Sequence, residues 1–529
     1  MNIGCLNAPI KSRGVLFLFF SAVCARDAWG ACVSLRILYL QCAGCLHKFE
    51  HVACALREAS GRETLFEIVR PQAIQIVFMN LLYNLFVSES LNESLPAQTA
   101  VRAMPWLAVT VAALGYFVDL YDLVIFSVVR VASLGPGGLG LLPADPSTSI
   151  TGWERIAHLF QVTFGFATGD ITSAGVAIFN AQLVGMVLGG FAWGMLGDRR
   201  GRLTTLFGSI ALYSTANLLT GFVDSVPMYA ALRFVAGFGL AGELGAGVTL
   251  VSELLGKKHR GWGTMIIAFA GMFGPIVASV VGANFAWRHA YIIGSVMGFA
   301  LLALRLGVAE SGIYSRTALR NKKRGDPRML FFPWNRLKRF ACVVLLGTPI
   351  WFVGGIIFVF APELARGLGL SEPVRPPTVI MCGYAGAAIG DLISSALSQW
   401  LQSRRAAVSI FIIVLAIAIA GLLIFGGRSA FAFYAWTFAA GIATGYWAVF
   451  VTIAGESFGT NLRATAATTA PNLVRGAAVI MVTAWELLTP GAGMIGAAAV
   501  VACVVVALGL IAVWRLPEPF AHDLDFEEV

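Results

Sequence analysis

The chain predicts an all-α integral membrane fold of twelve spanning helices in two six-helix repeats, and three observations carry that reading. Hydrophobic residues make up 58% of its 529 positions and charged residues only 12%, with a mean hydropathy of +0.79. So apolar a chain lacks the polar surface that a water-soluble protein of this length needs. Apolar windows of about 20 residues recur along the chain between mostly short connections. Arginine and lysine gather in alternate connections, the pattern that sets orientation in a bilayer. The net charge of +9 is therefore a topology signal. It forms no basic stripe, and nucleic acid is not an expected partner.

The windows fall near 106–131, 174–196, 203–222, 227–253, 263–285 and 288–308, then near 338–362, 377–401, 406–425, 430–454, 464–488 and 491–513. Their many glycines suit helices that approach one another closely. Basic residues come after the even-numbered windows: Arg199, Arg200 and Arg202; Lys257, Lys258 and Arg260; six between Arg316 and Arg328; Arg404 and Arg405; and Arg463. Those connections are expected on the cytoplasmic side, with the start of the first window. The longest basic connection divides the chain into a first bundle, 105–310, a central cytoplasmic loop, 311–336, and a second bundle, 337–515. An acidic cytoplasmic tail, 516–529, completes it.

Residues 1–104 stand outside this pattern as a leader. They hold six of the nine cysteines and a signal-like run, "VLFLFFSAVCA", after Lys11 and Arg13. A cleaved signal would place the next segment outside the cell, whereas the charge bias places the start of the first window inside. Cys42, Cys45, His47, His51 and Cys54 match no standard zinc spacing, so no metal is expected. The expected authentic start is Met79, ahead of the polar lead "VSESLNESLPAQTAVRAMP".

An internal repeat supports the division into halves. Glu253 and Arg260 flank the exit of the fourth window, and Glu456 and Arg463 flank the exit of the tenth at the same separation, 203 positions later. Repeated halves around a midplane site are the usual plan of secondary carriers.

Charges inside the windows point to the site, because a lone charge in hydrocarbon is costly and is kept where it binds, couples or pairs. Asp119 and Asp122 in "GYFVDLYDLVIF" lie three apart on one helical face. Arg233 in the fourth window is expected at the depth of Asp122, and Glu243 about 15 Å further along the same helix. In the second half, Asp391 and Arg475 fall well inside their windows. They read either as a buried pair with each other or as separate members of the transport path. Asn180, Gln182, Tyr291, Trp351, Tyr384, Tyr446 and Asn472 are candidates to line that path, or to pack helices. A carboxylate in a dry cavity can collect and release a proton as water access changes sides. Asp122 and Asp119, then Asp391, are the expected coupling acids. Arg233 and Arg475 can present a bidentate fork to a carboxylate on a substrate.

The segment "GMLGDRRGR", Gly194 to Arg202, places one acid among three arginines in a tight connection. Its spacing resembles the loop between the second and third helices of the major facilitator superfamily. That resemblance spans about 105 to 515 and includes the R-F-x-x-G-x-G-x-x-G-E pattern from Arg233 to Glu243, Trp287-Arg288 and Glu310-Ser311. It implies that Gly194, Asp198, Arg199, Gly201 and Arg202, with Glu253, Arg260, Glu456 and Arg463, latch the cytoplasmic helix ends and release them during alternating access. The acid-rich first helix facing an arginine on the fourth resembles the proton-coupled sugar and organic-acid porters. Departures are Leu120 where the organic-acid group has glycine, Gln399 where the second half's loop has an acid, and the missing proline after Glu310-Ser311.

Together these features predict an inner-membrane importer of a sugar or organic acid by proton symport, monomeric in the lipid bilayer, with the proton gradient in place of any cofactor. A proton-antiporting exporter is the alternative within the class, and a receptor or sensor without turnover the alternative outside it. No enzyme is expected, since six scattered histidines and isolated cysteines in the spans form no catalytic group. If the Asp198 loop is a latch, Asp198→Asn leaves substrate affinity near normal and slows turnover, because the loop biases states without touching ligand. Equilibrium binding and initial uptake rates on one preparation measure the two effects separately.

Overall fold

A computed structural model describes residues 97–142, 170–200, 202–243, 260–310, 330–459 and 462–520, all within one compact unit, 95–529. Every regular element among them is a helix. The first half contributes α1 (Ala97–Leu134), α2 (Ile171–Arg200), α3 (Arg202–Thr220), α4 (Val226–Leu240), α5 (Arg260–Gly271), α6 (Phe273–Asn284) and α7 (Trp287–Glu310). The second contributes α8 (Trp334–Phe352), α9 (Ala361–Gly367), α10 (Pro376–Trp400), α11 (Arg404–Phe425), α12 (Ala430–Thr444), α13 (Trp447–Glu456) and α14 (Arg463–Arg515). Nine helical stretches among the described residues are long and apolar enough to cross a membrane, and each expected window contains helix. One boundary moves: α1 begins at Ala97, inside the expected leader, because "AQTAVRAM" is made largely of good helix formers. Met79, the clustered cysteines and most of the central loop lie outside the described residues.

The 53 residues of α14 would span about 80 Å if straight, far more than a bilayer core of about 30 Å. Instead the helix turns back at Gly493, whose φ of 71° is open to glycine, just after Pro490. The bonding at its ends confirms the reversal. Arg404 reaches Glu456, shortly before α14 starts, while the adjacent Arg405 donates to the Trp514 carbonyl near its finish. Start and finish therefore share the end of the bundle that carries Arg404 and Arg405, here called the basic end. The end of α2 and the start of α3 lie there too, since α2 runs antiparallel to the first part of α14, from Ser173 at Glu486 to Gly190 at Asn472.

The repeat is visible in backbone packing. A Cβ at Gly185 or Gly189 would overlap the backbone of α4 at Phe234 and Phe238, and one at Gly237 would overlap Gln182. In the second half, Gly386 and Gly390 on α10 meet α12 in the same way, and Gly441 meets Gly383. Both crossings bring main chains to within contact, which only small residues permit where lipid gives little hydrophobic drive for association.

Three interruptions ring the centre. Met272 separates α5 from α6, residues 353–358 form a wide π turn containing Gly354 and Gly355, and α12 stops at Thr444 before α13 resumes at Trp447. Such breaks occur in membrane proteins where the freed backbone lines a cavity or finds other partners.

At the basic end, the tail folds back on α11. Glu518 accepts from Ser403 Oγ and from the backbone N–H groups of Arg404 at 2.9 Å and Arg405 at 3.2 Å, capping that helix. Burial opposes ionisation of Glu518. The bonds from Ser403 and from the N–H groups of Arg404, Phe520 and Arg405 outweigh it and hold the carboxyl below its ordinary range. A group so depressed stabilises the fold above its ordinary titration range and loses that effect as pH falls through the lowered value. Glu518→Ala should cost about 1 kcal/mol at neutral pH. In thermal unfolding of both proteins, the difference should shrink below about pH 4.

Candidate functional site

Where the halves meet at mid-bundle, a cavity of about 50 Å³ is walled by Tyr116 and Leu120 of α1, Met272, and Trp351, Phe358, Tyr384, Trp447 and Arg475 of the second half. The Met272 break, the π turn and the α12–α13 break all border it, so the interruptions shape this site. Its only charged lining group is Arg475. The guanidinium lies 5.9 Å from the Trp351 ring centre and 5.8 Å from that of Trp447, a cation held between two π faces. Asp119 Oδ2 stands 3.8 Å from Arg475 Nη2, close enough to pair and too far to hydrogen-bond. All three guanidinium nitrogens and both Asp119 oxygens lack a hydrogen-bond partner in the protein. Trp447 Nε1 donates to Tyr116 Oη at 3.0 Å, closing α13 onto α1.

Of the two readings open for Asp391 and Arg475, the structure favours separate placements. Arg475 pairs across the halves with Asp119 and not with Asp391. Asp391 Oδ1 instead accepts from the Ala448 N–H at 3.1 Å, at the first turn of α13. The acid satisfies an orphan donor where α12 breaks, the usual position of a helix-capping carboxylate.

Asp122 and Arg233 are both fully buried and share one depth, as the sequence predicts. Their contact differs from the expected carboxylate–guanidinium pair. Arg233 Nη2 donates to the Asp122 backbone carbonyl at 2.9 Å, Nη1 to Asn217 Oδ1 at 2.6 Å and Nε to Gln182 Oε1 at 3.3 Å, while its plane lies over the Tyr291 ring. The carboxylate oxygens of Asp122 have no hydrogen-bond partner in the protein. Gln182 and Tyr291 therefore hold Arg233 rather than line the cavity, and Tyr446 is spent on the Leu346 carbonyl. Asn180 bonds Thr483 and Asn472 bonds the Ala241 carbonyl, so both tie one half to the other.

Glu243 has a partner that sequence reasoning missed: Arg305 of α7 grips it with both Nη atoms. Arg305 lies inside an expected window, and a charge there was the available signal. Toward the basic end of the second half, Arg404 pairs with Glu456 at 3.4 Å and bonds Ser398. A Cβ at Gly194 would meet nothing within 4 Å. The side chains of Asp198, Arg199, Arg202, Glu253, Arg260 and Arg463, and residue Gly201, lie outside the described residues.

The end opposite the basic one is sealed between the halves. Arg130 of α1 and Glu363 of α9 meet at 2.7 Å, with side chains 0% and 1% exposed. Arg130 also donates to the Val359 carbonyl and stacks on Phe360. Nearby, Thr172 reaches Glu363 and Ser173 reaches Glu486. Arg130, too, lay in plain view inside the first window.

A many-helix membrane body, with a charged and aromatic cavity at the seam of its halves and a seal at one end, defines a membrane transporter rather than an enzyme. The chain belongs to the Major Facilitator Superfamily, whose sequence pattern matches residues 156–483. It is 28% identical to the 3-(3-hydroxy-phenyl)propionate transporter of Escherichia coli (strain K12) over 365 residues, 65% of this chain and 87% of that one. It is 24% identical to the "probable 4-methylmuconolactone transporter" of Cupriavidus pinatubonensis over 66% of this chain and 83% of that one. It is also 32% identical to the niacin transporter NiaP of Acinetobacter baylyi over 25% and 31% of the two chains.

Removing Arg130 leaves the buried Glu363, among the described residues, with only the exposed Arg366, 3.8 Å away, as a counter-charge. Arg130→Met should cost about 3–5 kcal/mol, whereas Arg130→Met with Glu363→Leu should recover most of that loss. Thermal unfolding of the single and double variants reads the difference.

Proposed function

We propose that this protein imports a small ring-bearing carboxylate by proton symport. The observation that carries the reading is Arg475, a guanidinium that makes no hydrogen bond in the protein and pairs only loosely with Asp119, beside two indole rings in a cavity otherwise lined mostly by aromatic and apolar groups. Such a site suits a ligand with one carboxylate for the fork and a flat apolar body for the rings. A sugar would need a ring of hydrogen-bonding partners, and the lining offers few. Two of the relatives are named for aromatic acids, 3-(3-hydroxyphenyl)propionate and niacin, which supports this reading. At about 50 Å³ the cavity is smaller than the ~150 Å³ that takes up benzene, so a ligand requires it to widen.

In this reading the basic end faces the cytoplasm by the bias of Arg404, Arg405 and the 198–202 loop. The Arg130–Glu363 seal then closes the outer side. The ligand carboxylate displaces Asp119 from Arg475, since the two anions compete for one cation. Asp119, deprived of its partner in a dry cavity, is favoured in its protonated form. Asp122 is the second proton site. Asp391 has the supporting task of holding the α12–α13 break.

Uptake of labelled 3-(3-hydroxyphenyl)propionate, nicotinate and glucose into proteoliposomes tests this. The acids should accumulate under an inward proton gradient and glucose should not; glucose accumulation alone defeats the reading. Arg475→Lys keeps the charge and loses the fork, so acid affinity should fall roughly tenfold to a hundredfold. Asp122→Asn should end uphill accumulation while leaving downhill exchange measurable.

A further inference from the structure

Behind α1, away from the aromatic cavity, the first half contains a column of polar groups that begins at Asp122 and, beyond that acid, has no part in the transport site described above. Asp122 Oδ1 and Oδ2, Asn217 Nδ2, Ser214 Oγ, Ser295 Oγ and Tyr213 Oη are all buried and all lack a hydrogen-bond partner in the protein. The surrounding glycines fix their order along the bundle. A Cβ at Gly294 of α7 would meet Asp122, and one at Gly298, a turn further on, would meet Ser214 and the Tyr213 ring. Two turns beyond, Arg305 of the same helix holds Glu243, and this pair lies against Gly115, about 10 Å along α1 from Asp122. The helical rise thus places Tyr213 between Asp122 and the Glu243–Arg305 pair. Its phenol feels Glu243, Asp122, Arg305 and Asp119. Asp122 itself is faced by Arg233 from α4, by Asp119 on its own helix and by Asn217 from α3, whose amide lies beside the carboxylate without hydrogen-bonding to it.

Buried polar atoms in native proteins are almost always bonded to protein or to ordered water. Here three hydroxyls and one amide donor follow a carboxylate along the bundle, and the hydrogen bonds they leave unmade are ones that water can complete. A metal cation does not fit the column, because Arg233 already supplies the positive charge at Asp122.

We propose that this column is a water-bearing proton conduit between Asp122 and the Glu243–Arg305 pair, with Tyr213 as its relay, so that protons reach the basic end inside the first half and not through the substrate cavity. The proposal rests on Asp122 being the coupling acid. At the relay, the phenolic oxygen takes a proton from one water as its own proton passes to the next, so the phenol is unchanged after each transfer. Glu243 and Arg305 are positioning residues that orient the last water by their charges.

Two measurements test it, the first independent of substrate. A structure of the full chain that resolves ordered solvent should show water bridging Asp122 to Ser214 or Ser295 and reaching Tyr213; a dry column overturns the proposal. The second compares Tyr213→Phe with the native protein in proteoliposomes, using 3-(3-hydroxyphenyl)propionate as probe. The phenylalanine keeps the ring that packs on Gly298. Gradient-driven uptake should slow by about tenfold or more, with substrate binding and gradient-free exchange unchanged. Native uptake by Tyr213→Phe overturns the conduit, as does an equal loss of exchange, which would mark a role in state switching. Ser214→Ala with Ser295→Ala provides the same readout if the phenylalanine variant folds poorly. Loss of coupling in Asp122→Asn but not in Tyr213→Phe removes the conduit alone, whereas retained coupling in Asp122→Asn removes the reading on which it stands.

Discussion

Charge held away from water is the constraint on which this molecule is organised. In hydrocarbon an isolated ion is expensive, and the described spans contain Asp119, Asp122, Arg130, Arg233, Glu243, Arg305, Asp391 and Arg475, all buried. Each acid has a cation or a backbone donor nearby, and the tightness of the match varies with position. Glu243–Arg305 and Arg130–Glu363 are hydrogen-bonded pairs. Asp119–Arg475, at the cavity, is loose. Asp122 is left with the orientation of its arginine fixed by other groups. The tight pairs hold the frame, and the loose ones are those of the two acids on α1, Asp119 and Asp122.

The same gradation separates stiffness from mobility along the helices. Backbone-to-backbone crossings of α2 with α4 and of α10 with α12 weld each half internally. Between the halves, contacts are side chain to side chain or side chain to carbonyl, as with Asn180 to Thr483 and Asn472 to Ala241. Such bonds exchange readily for water when the halves part, whereas a glycine crossing has no comparable substitute. The positions of the glycines thus place the closest backbone crossings within each half.

Much of this was legible in the sequence. The spans and the repeat came from apolar length and charge bias, which are local properties. The depth match of Asp122 with Arg233 also emerged, because helical rise converts residue number into distance. Partner choice did not. Asp119 and Arg475 are 356 positions apart, and Arg475 had a plausible acid in Asp391 on its own half; only the packing of the halves decides between them. The break at Gly445 made the difference, since it exposes an N–H that claims Asp391. Arg130 and Arg305 were visible as charges inside spans, but their partners, Glu363 and Glu243, lie 233 and 62 positions away, so nothing local hinted at the pairing. The latch residues around Asp198 remain a sequence-level proposal.

The π turn at 353–358 has a bearing beyond the cavity it borders. A π turn accommodates about one residue more than regular α-helix, and one residue rotates everything beyond it by about 100°. Phe360 and Glu363 come directly after it, and both face Arg130. The seal at that end is thus a matter of helical phase. A chain that straightened this turn would swing the acid a quarter-turn away from its arginine without moving the helix axis at all, so opening the seam can begin as a rotation rather than a tilt.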